Sequence, residues 1–223
     1  MSASLIILSL IVAYVIGGLP CGLWVGLARG VDIRQLGSRN IGASNVLRVL
    51  GAKWGAVAFL GDVLKGTVAV LIVKWAASAA GLEAGAASYV LAGGALCAVV
   101  GHDWSVWLKF QGGKGVATNL GVALVLDWRV ALIAFGIWIA LTAVSRYISL
   151  ASMFAVASTV FLGLAFHSPP AAIIFFIITS AITIARHHEN IGRLLTGTER
   201  RIGQRVPAAA EPTTDRRPGT PGQ

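Results

Sequence analysis

Side chains able to hold an anion are concentrated in three short glycine-rich segments of this chain: GSRNIGASNVLR at 37–48, FQGGKGVATN at 110–119 and RHHENIGRLLTGTE at 186–199. In the middle segment, GGKG at 112–115 opens a short helix. Glycines let the backbone approach an anion, amides at a helix start point outward, and Lys114 supplies a point charge. The competing reading is a flexible interfacial turn with a snorkelling lysine. It is not a nucleotide-hydrolysing phosphate loop, because Leu108 and Gly115 stand where that motif needs Gly and Ser or Thr. In the first segment Ser38, Asn40, Ser44 and Asn45 accompany Arg48. Arg48 follows Asn45 by three residues, so on a helix both face one way, and a guanidinium fork suits phosphate. Helix capping would need only one of these polar residues. In the third segment His187, Asn190 and Leu194 fall on one helical face, His188 lies about 100° away toward solvent, and Glu199 is expected to tie the segment back to an arginine.

Other chemistries find no residues to carry them. No GxSxG elbow is present. None of His102, His167, His187 and His188 has Asp five residues later, the arrangement used by a large class of CoA-dependent glycerolipid acyltransferases. No cluster of carboxylates and histidines offers metal ligands, so no metal or cofactor is expected. Cys21 and Cys97 stand alone in apolar runs and read as small core residues.

What must position the three segments is a membrane bundle. Of 223 residues, 56% are hydrophobic and 12% charged, about half the charge of a soluble domain. Seven hydrophobic segments stand out, at 4–27, 54–75, 86–101, 115–127, 129–145, 147–166 and 170–186. The fourth is short for a span, which needs roughly 20 residues; five spans with two half-helices is the alternative. Placing the amino terminus outside puts fifteen of the 18 Lys and Arg residues on the cytoplasmic side and only Lys74 and Arg129 outside. The same assignment puts all three polar segments on the cytoplasmic face. It also makes 5–16 a retained first span, since the basic residues follow it. The net charge of +9 then reflects orientation and anionic headgroups, not nucleic acid. Within the second span, Asp62 and Lys65 at i and i+3 are expected to pair toward the bundle interior as a structural couple. Residues 206–223 (VPAAAEPTTDRRPGTPGQ) read as a disordered cytoplasmic tail after a membrane domain of 1–205.

Taken together, the three segments resemble the bacterial acyl-phosphate:glycerol-3-phosphate acyltransferases, the PlsY family. That pattern runs GSGNxGATNxxR, GGKGxAT and HxxNIxRLxxGxE, matched here by GSRNIGASNVLR, GGKGVAT and HHENIGRLLTGTE. DVLKG at 62–66 and GHDWSVWLKFQGGKG at 101–115 extend the likeness, which covers roughly residues 5–205. The resemblance implies an all-α integral membrane enzyme of the bacterial inner membrane. It would move a fatty acyl group from acyl phosphate to the 1-hydroxyl of glycerol 3-phosphate, giving lysophosphatidic acid and phosphate, the first step of phospholipid synthesis. It implies roles in activity for Ser38 and Arg48 and matches His187 and Asn190 to the family's histidine and asparagine; with Lys114, whose charge suits phosphate, these are the expected catalytic residues. Substrate contacts would come from Asn40, Asn45, Gly112, Gly113, Gly115, Thr118 and Arg193, and Glu199 would be structural. Beyond its two substrates and membrane lipids, no obligate protein partner is implied. Two positions depart from the pattern. Ser44 keeps a threonine's hydroxyl, whereas Arg39 replaces a glycine and is strained if that residue has φ > 0. A transporter or flippase for a phosphorylated solute is the rival of a different class, since it too would want basic residues beside broken helices.

Overall fold

The computed structural model describes residues 2–204, so the tail at 206–223 lies outside the described residues. Among them the chain is helical: α1 (Ser2–Gly17), α2 (Cys21–Ala28), α3 (Ala43–Leu50), α4 (Ala52–Ala79), α5 (Ala84–Asp103), α6 (Val116–Leu126), α7 (Trp128–Ser145), α8 (Ile148–Ala165), α9 (Pro170–Arg186) and α10 (His188–Leu195). Five stretches are long and apolar enough to cross a bilayer: Ser2–Ala28, Ala52–Ala79, Ala84–Leu108, Trp128–Ser145 and Ile148–Ala165. A sixth arises if α9 and α10, which meet at a 58° bend, count as one. Helix α6 stays short at 11 residues, roughly 17 Å at helical rise and about half a hydrocarbon core. The seven apolar segments of the sequence thus appear as five spans, one bent pair and one half-length helix.

The spans carry apolar residues all round, as lipid-facing and core-facing sides both require. Leu60, Leu64, Phe161 and Ile177 are exposed outward, while Val70, Val73, Val99, Val122, Phe175 and Phe176 fill the interior. Between α4 and α6 the helices approach through glycine. A Cβ on Gly66 would press on the Thr118 carbonyl, and one on Gly121 would overlap the Val63 carbonyl; small residues are what allow membrane helices to pack this closely. Thr67 Oγ1 closes the contact by donating to Gly121 O at 2.9 Å. This fixes α6, and the loop before it, against α4.

Asp62 and Lys65 pair at 2.8 Å with both side chains under 5% exposed, facing inward as expected. Lys65 also donates to Leu19 O at 2.6 Å and lies 2.8 Å from His102 Nδ1. The pair therefore joins α4 to the α1–α2 break and to the end of α5.

Among the described residues only α3 and α10 are short and amphipathic, and they are built from the first and third polar segments. The loop 33–42 that leads into α3 is organised by Asn45, which is 0% exposed. Its Nδ2 donates to the carbonyls of Ile33, Leu36 and Asn40, and its Oδ1 accepts from Ser38 N. Arg39 in that loop has φ 58°, the left-handed region, so the arginine occupies the backbone state that suits glycine. Strain of about 1 kcal/mol is stored there, partly offset because arginine restricts the unfolded chain more than glycine does. Arg39→Gly should therefore keep or slightly raise the thermal unfolding midpoint in detergent, and Arg39→Val should lower it. An Arg39→Gly protein clearly less stable than its parent would show that the side chain contributes more than the backbone strain removes.

Candidate active site

The three polar segments converge at one end of the bundle and line a single cavity of about 550 Å³. Helix α3 brings Arg48, the loop before α6 brings Lys114, and the α9–α10 bend brings His187 and Asn190. Ser38, Asn40 and Arg193 reach the same space.

The third segment is held by Glu199, which is 7% exposed. Its Oε1 accepts from Ser149 Oγ of α8 at 2.8 Å and from Asn190 Nδ2 at 2.7 Å, and its Oε2 accepts from Arg193 Nε at 2.8 Å. Burial works against its charge, but Arg193, Asn190 and Ser149 outweigh that and hold the carboxyl below its ordinary range. With its NH₂ committed to Glu199, Asn190 must turn Oδ1 the other way, where it accepts from Lys114 Nζ. The chain downstream of α10 is strapped across the α7–α8 turn by Ile202 N to Arg146 O at 2.8 Å and Arg201 Nε to the Tyr147 hydroxyl at 2.9 Å. The tie from Glu199 to an arginine is thus present, and it reaches further than the sequence indicated.

His187 is the hinge residue itself, between α9 and α10, and not a member of one continuous helix face with Leu194. Its Nδ1 lies 2.7 Å from Thr183 O. A carbonyl can only accept, so Nδ1 carries the proton and the neutral ring leaves Nε2 as a bare acceptor. His188 is exposed, as anticipated.

Five cations line the cavity (Arg39, Arg48, Lys114, Arg193 and Arg200) against two carboxylates, Asp62 and Glu199. Asp62 is matched by Lys65 and Glu199 by Arg193. Arg39, Arg48, Lys114 and Arg200 are left with no carboxylate partner among the described residues. Burial, followed by the neighbouring Arg193 charge, pushes the Lys114 ammonium down to about 8. Burial and the Arg200 charge likewise lower Arg48. Such a site is built to receive a dianion, which would relieve both the desolvation and the mutual repulsion. The opposite end of the cavity is apolar, walled by Phe59, Ala123, Ala131, Phe135, Trp138, Phe175 and Phe176.

Four of the residues expected to contact substrate do not line this space. Asn45 is committed to its own loop, three residues from Arg48 on α3 but turned into the fold. Thr118 is fully buried against Gly66. Gly112 and Gly113 have a packing reason for lacking a side chain: a Cβ on Gly112 would overlap His102 O, and one on Gly113 would overlap His102 Nε2. The Gly113 amide is already donated to His102 O at 3.0 Å. Gly115 does line the cavity, and its φ of 71° is the left-handed turn that starts α6. Three participants were not anticipated: Arg200 and Asn119 in the wall, and Ser149 behind Glu199. Arg200 was visible only as one of many cytoplasmic charges. Asn119 closes the second polar segment but was given no role of its own, and Ser149 carried no signal, because a polar residue inside an apolar helix does not announce its partner.

A bundle of apolar helices enclosing a cavity with a cationic mouth and an apolar interior defines a membrane protein that handles an amphiphile with an anionic group. Comparison with known proteins narrows the class. A family model described as glycerol-3-phosphate acyltransferase matches residues 7–197, and this chain belongs to that family. It is 42% identical over 199 residues to the glycerol-3-phosphate acyltransferase of Rubrobacter xylanophilus, covering 89% of this chain and 96% of the relative. Identity to that of Thermus thermophilus is 43% over 203 residues, covering 90% and 96%. Two crystal structures of PlsY (YgiH), described as an integral membrane glycerol 3-phosphate acyltransferase, superpose with TM-scores of 0.81 and 0.79 at 39% identity. The first is the glycerol 3-phosphate form and covers 89% of this chain and 96% of that one; the second is the lysophosphatidic acid form, covering 89% and 95%.

Removing the carboxylate that holds the third segment should be costly. Glu199→Ala leaves Arg193, Asn190 and Ser149 without their acceptor, and about 1.5–3 kcal/mol should be lost, a fall of several degrees in thermal midpoint. A midpoint within one degree of the parent would show that these donors are satisfied elsewhere.

Proposed function

We propose that this protein transfers a fatty acyl group from acyl phosphate to the 1-hydroxyl of sn-glycerol 3-phosphate, releasing lysophosphatidic acid and inorganic phosphate. The observation that carries this reading is the continuity of the cavity: Arg48, Lys114 and Arg200, with no carboxylate partner among the described residues, at one end, and an apolar interior at the other. Phe176 and Phe175 lie eleven and twelve residues before His187 along α9, roughly 17–18 Å at helical rise. That depth exceeds half a hydrocarbon core, so an acyl chain can extend inward while its phosphate stays at the cationic mouth.

An acyl phosphate is already activated, and no enzyme nucleophile is needed. The hydroxyl oxygen of glycerol 3-phosphate forms a bond to the acyl carbonyl carbon, the bond from that carbon to the phosphate oxygen breaks, and phosphate leaves with the electron pair. The hydroxyl proton passes to His187 Nε2, whose lone pair is freed by the bond from Nδ1 to Thr183, and from there to the departing phosphate. Arg48 and Lys114, with Arg193 and Arg200 beside them, offset the charge of the two phosphoryl groups and hold the hydroxyl near the carbonyl. Ser38, Asn40 and Asn190 supply polar contacts to the glycerol moiety. Asn45, Thr118, Gly112 and Gly113 act from behind by shaping the loops. The distribution of Lys and Arg supports a multi-pass protein of the bacterial inner membrane with this mouth toward the cytoplasm.

In detergent, purified protein should release phosphate from acyl phosphate only when glycerol 3-phosphate is supplied; a transporter would be silent without a sealed compartment. Mass spectrometry after mixing with acyl phosphate alone should find Ser38 unmodified. An acyl-Ser38 adduct that goes on to react with glycerol 3-phosphate would replace direct transfer with a two-step scheme.

The lowered Lys114 pKa sets a pH dependence. The ammonium binds phosphate, is charged below about pH 8 and is lost above it. Hence kcat/KM for glycerol 3-phosphate should be level near pH 7 and fall toward tenfold per unit above pH 8. In Lys114→Arg, which stays charged, this alkaline limb should disappear. A limb unchanged in Lys114→Arg would assign it to another group.

A further inference from the structure

Arg186, the last residue of α9, does not line the cavity. Its guanidinium is spent on backbone: Nη2 lies 2.8 Å from Gly113 O, 3.2 Å from Asp103 O and 3.3 Å from Gly112 O, and Nε is 3.1 Å from Gly113 O. The face of the group packs over Trp104, 5.2 Å from the ring centroid. One side chain thus grips three carbonyls, at the end of α5 and on both glycines that precede Lys114.

We propose that Arg186 is a positioning residue for phosphate binding: by drawing in the Gly112 and Gly113 carbonyls it turns the Lys114 amide and side chain toward the bound phosphoryl group. This rests on the acyltransferase reading only for the identity of the anion. The derivation is geometric. In a planar trans peptide the C=O and the following N–H point in opposite directions. Holding Gly113 O on the guanidinium therefore sends the Lys114 N–H the other way, and no acceptor among the described residues takes it. Lys114 itself is in the cavity wall. The same constraint on Gly112 O sends the Gly113 N–H to His102 O. Without the clamp, two adjacent glycines have no side chain to hold this orientation.

The placement also couples two parts of the site. Arg186 is followed directly by His187, so the residue that sets the loop and the residue that faces the reacting hydroxyl share one helix end. The loop is tied to the third segment twice, by Arg186 to Gly113 O and by Lys114 to Asn190. A shift of the loop relative to His187 must break one of these ties. A lysine cannot replace the arginine, since an ammonium lacks the planar fork that spans three carbonyls.

The test is steady-state kinetics of the full chain in detergent for Arg186→Gln and Arg186→Lys, varying glycerol 3-phosphate and acyl phosphate separately, alongside direct binding of inorganic phosphate. In Arg186→Gln the KM of one phosphorylated substrate should rise roughly tenfold or more, the worth of a charge-assisted hydrogen bond. Saturated kcat should change less than threefold. Whichever KM responds identifies the phosphoryl group that the loop holds. Arg186→Lys should recover only a small part, and millimolar guanidinium ion should restore affinity to Arg186→Gln. Inorganic phosphate should bind the variant about tenfold more weakly, a result that stands whether or not the protein proves to be an acyltransferase. The proposal fails if both KM values and phosphate affinity stay within twofold of the parent. It fails equally if activity falls only with the fraction of folded protein and guanidinium restores nothing. Should Arg186→Gln not fold, phosphate affinity of Arg186→Lys equal to the parent's would overturn it.

Discussion

A single buried carboxylate holds this end of the molecule together. Glu199 takes donors from α8, from α10 and from the arginine six residues before it, and each of these contacts fixes something else. Through Ser149 it anchors the third segment to the span that walls the cavity. Through Asn190 it decides which way an amide points, and so gives Lys114 an oxygen to meet. Through Arg193 it neutralises one cation of a crowded group. Helix α10 is eight residues long, too short to be stable by itself, and this carboxylate joins the Lys114–Asn190 bond and the Ile202–Arg146 strap in tying it to the bundle.

The remaining cations define the function by what they lack. Burial of charge is costly unless the charge is paired, and a protein selected for stability alone would not leave half-buried Arg48 and Lys114, beside exposed Arg39 and Arg200, around one cavity with no carboxylate partner among the described residues. The Asp62–Lys65 pair shows the alternative in the same molecule. It is nearly sealed from solvent, with each charge against the other, and it makes a joint between helices. Matched charges serve the fold, and unmatched ones await a ligand. The lowered Lys114 ammonium registers this cost as displaced titration.

How much of this was legible in the sequence depended on the kind of interaction. Charge placement was legible, because basic residues accumulate in the short connections between apolar runs, and the three segments do meet at one end. The pairing of Asp62 with Lys65 followed from spacing and from the cost of a lone charge in lipid. The strained backbone at Arg39 was foreseen from the glycine it replaces. Less direct was the step from polar residue to cavity wall, which Asn45, Thr118, Gly112 and Gly113 do not line. Asn45 looked like a substrate residue because it shares a segment with Arg48, yet its amide is consumed by four backbone groups of its own loop. Gly112 and Gly113 looked like glycines that admit a phosphate, and their missing side chains instead make room for His102. Sequence distinguishes polar from apolar, but it does not reveal whether a polar group faces the fold or the ligand. The break at His187 was equally hidden, since the 3.6-residue period runs through it without a helix breaker.

That break has a mechanical consequence which links fold to chemistry. Had α9 continued straight, His187 and Asn190 would lie one above the other on a single helical face. The 58° bend instead turns α10 relative to α9, so that Asn190 and Arg193 meet Glu199 while all three, with His187, line the cavity. The bend falls immediately after Arg186, whose guanidinium is held by three carbonyls of the neighbouring loop. Anchoring the final residue of one helix fixes where the next can begin. The glycine–lysine loop and the hinge histidine are therefore registered to each other through the Arg186 guanidinium and the Lys114–Asn190 bond, while Lys114 and His187 both stay in the cavity wall.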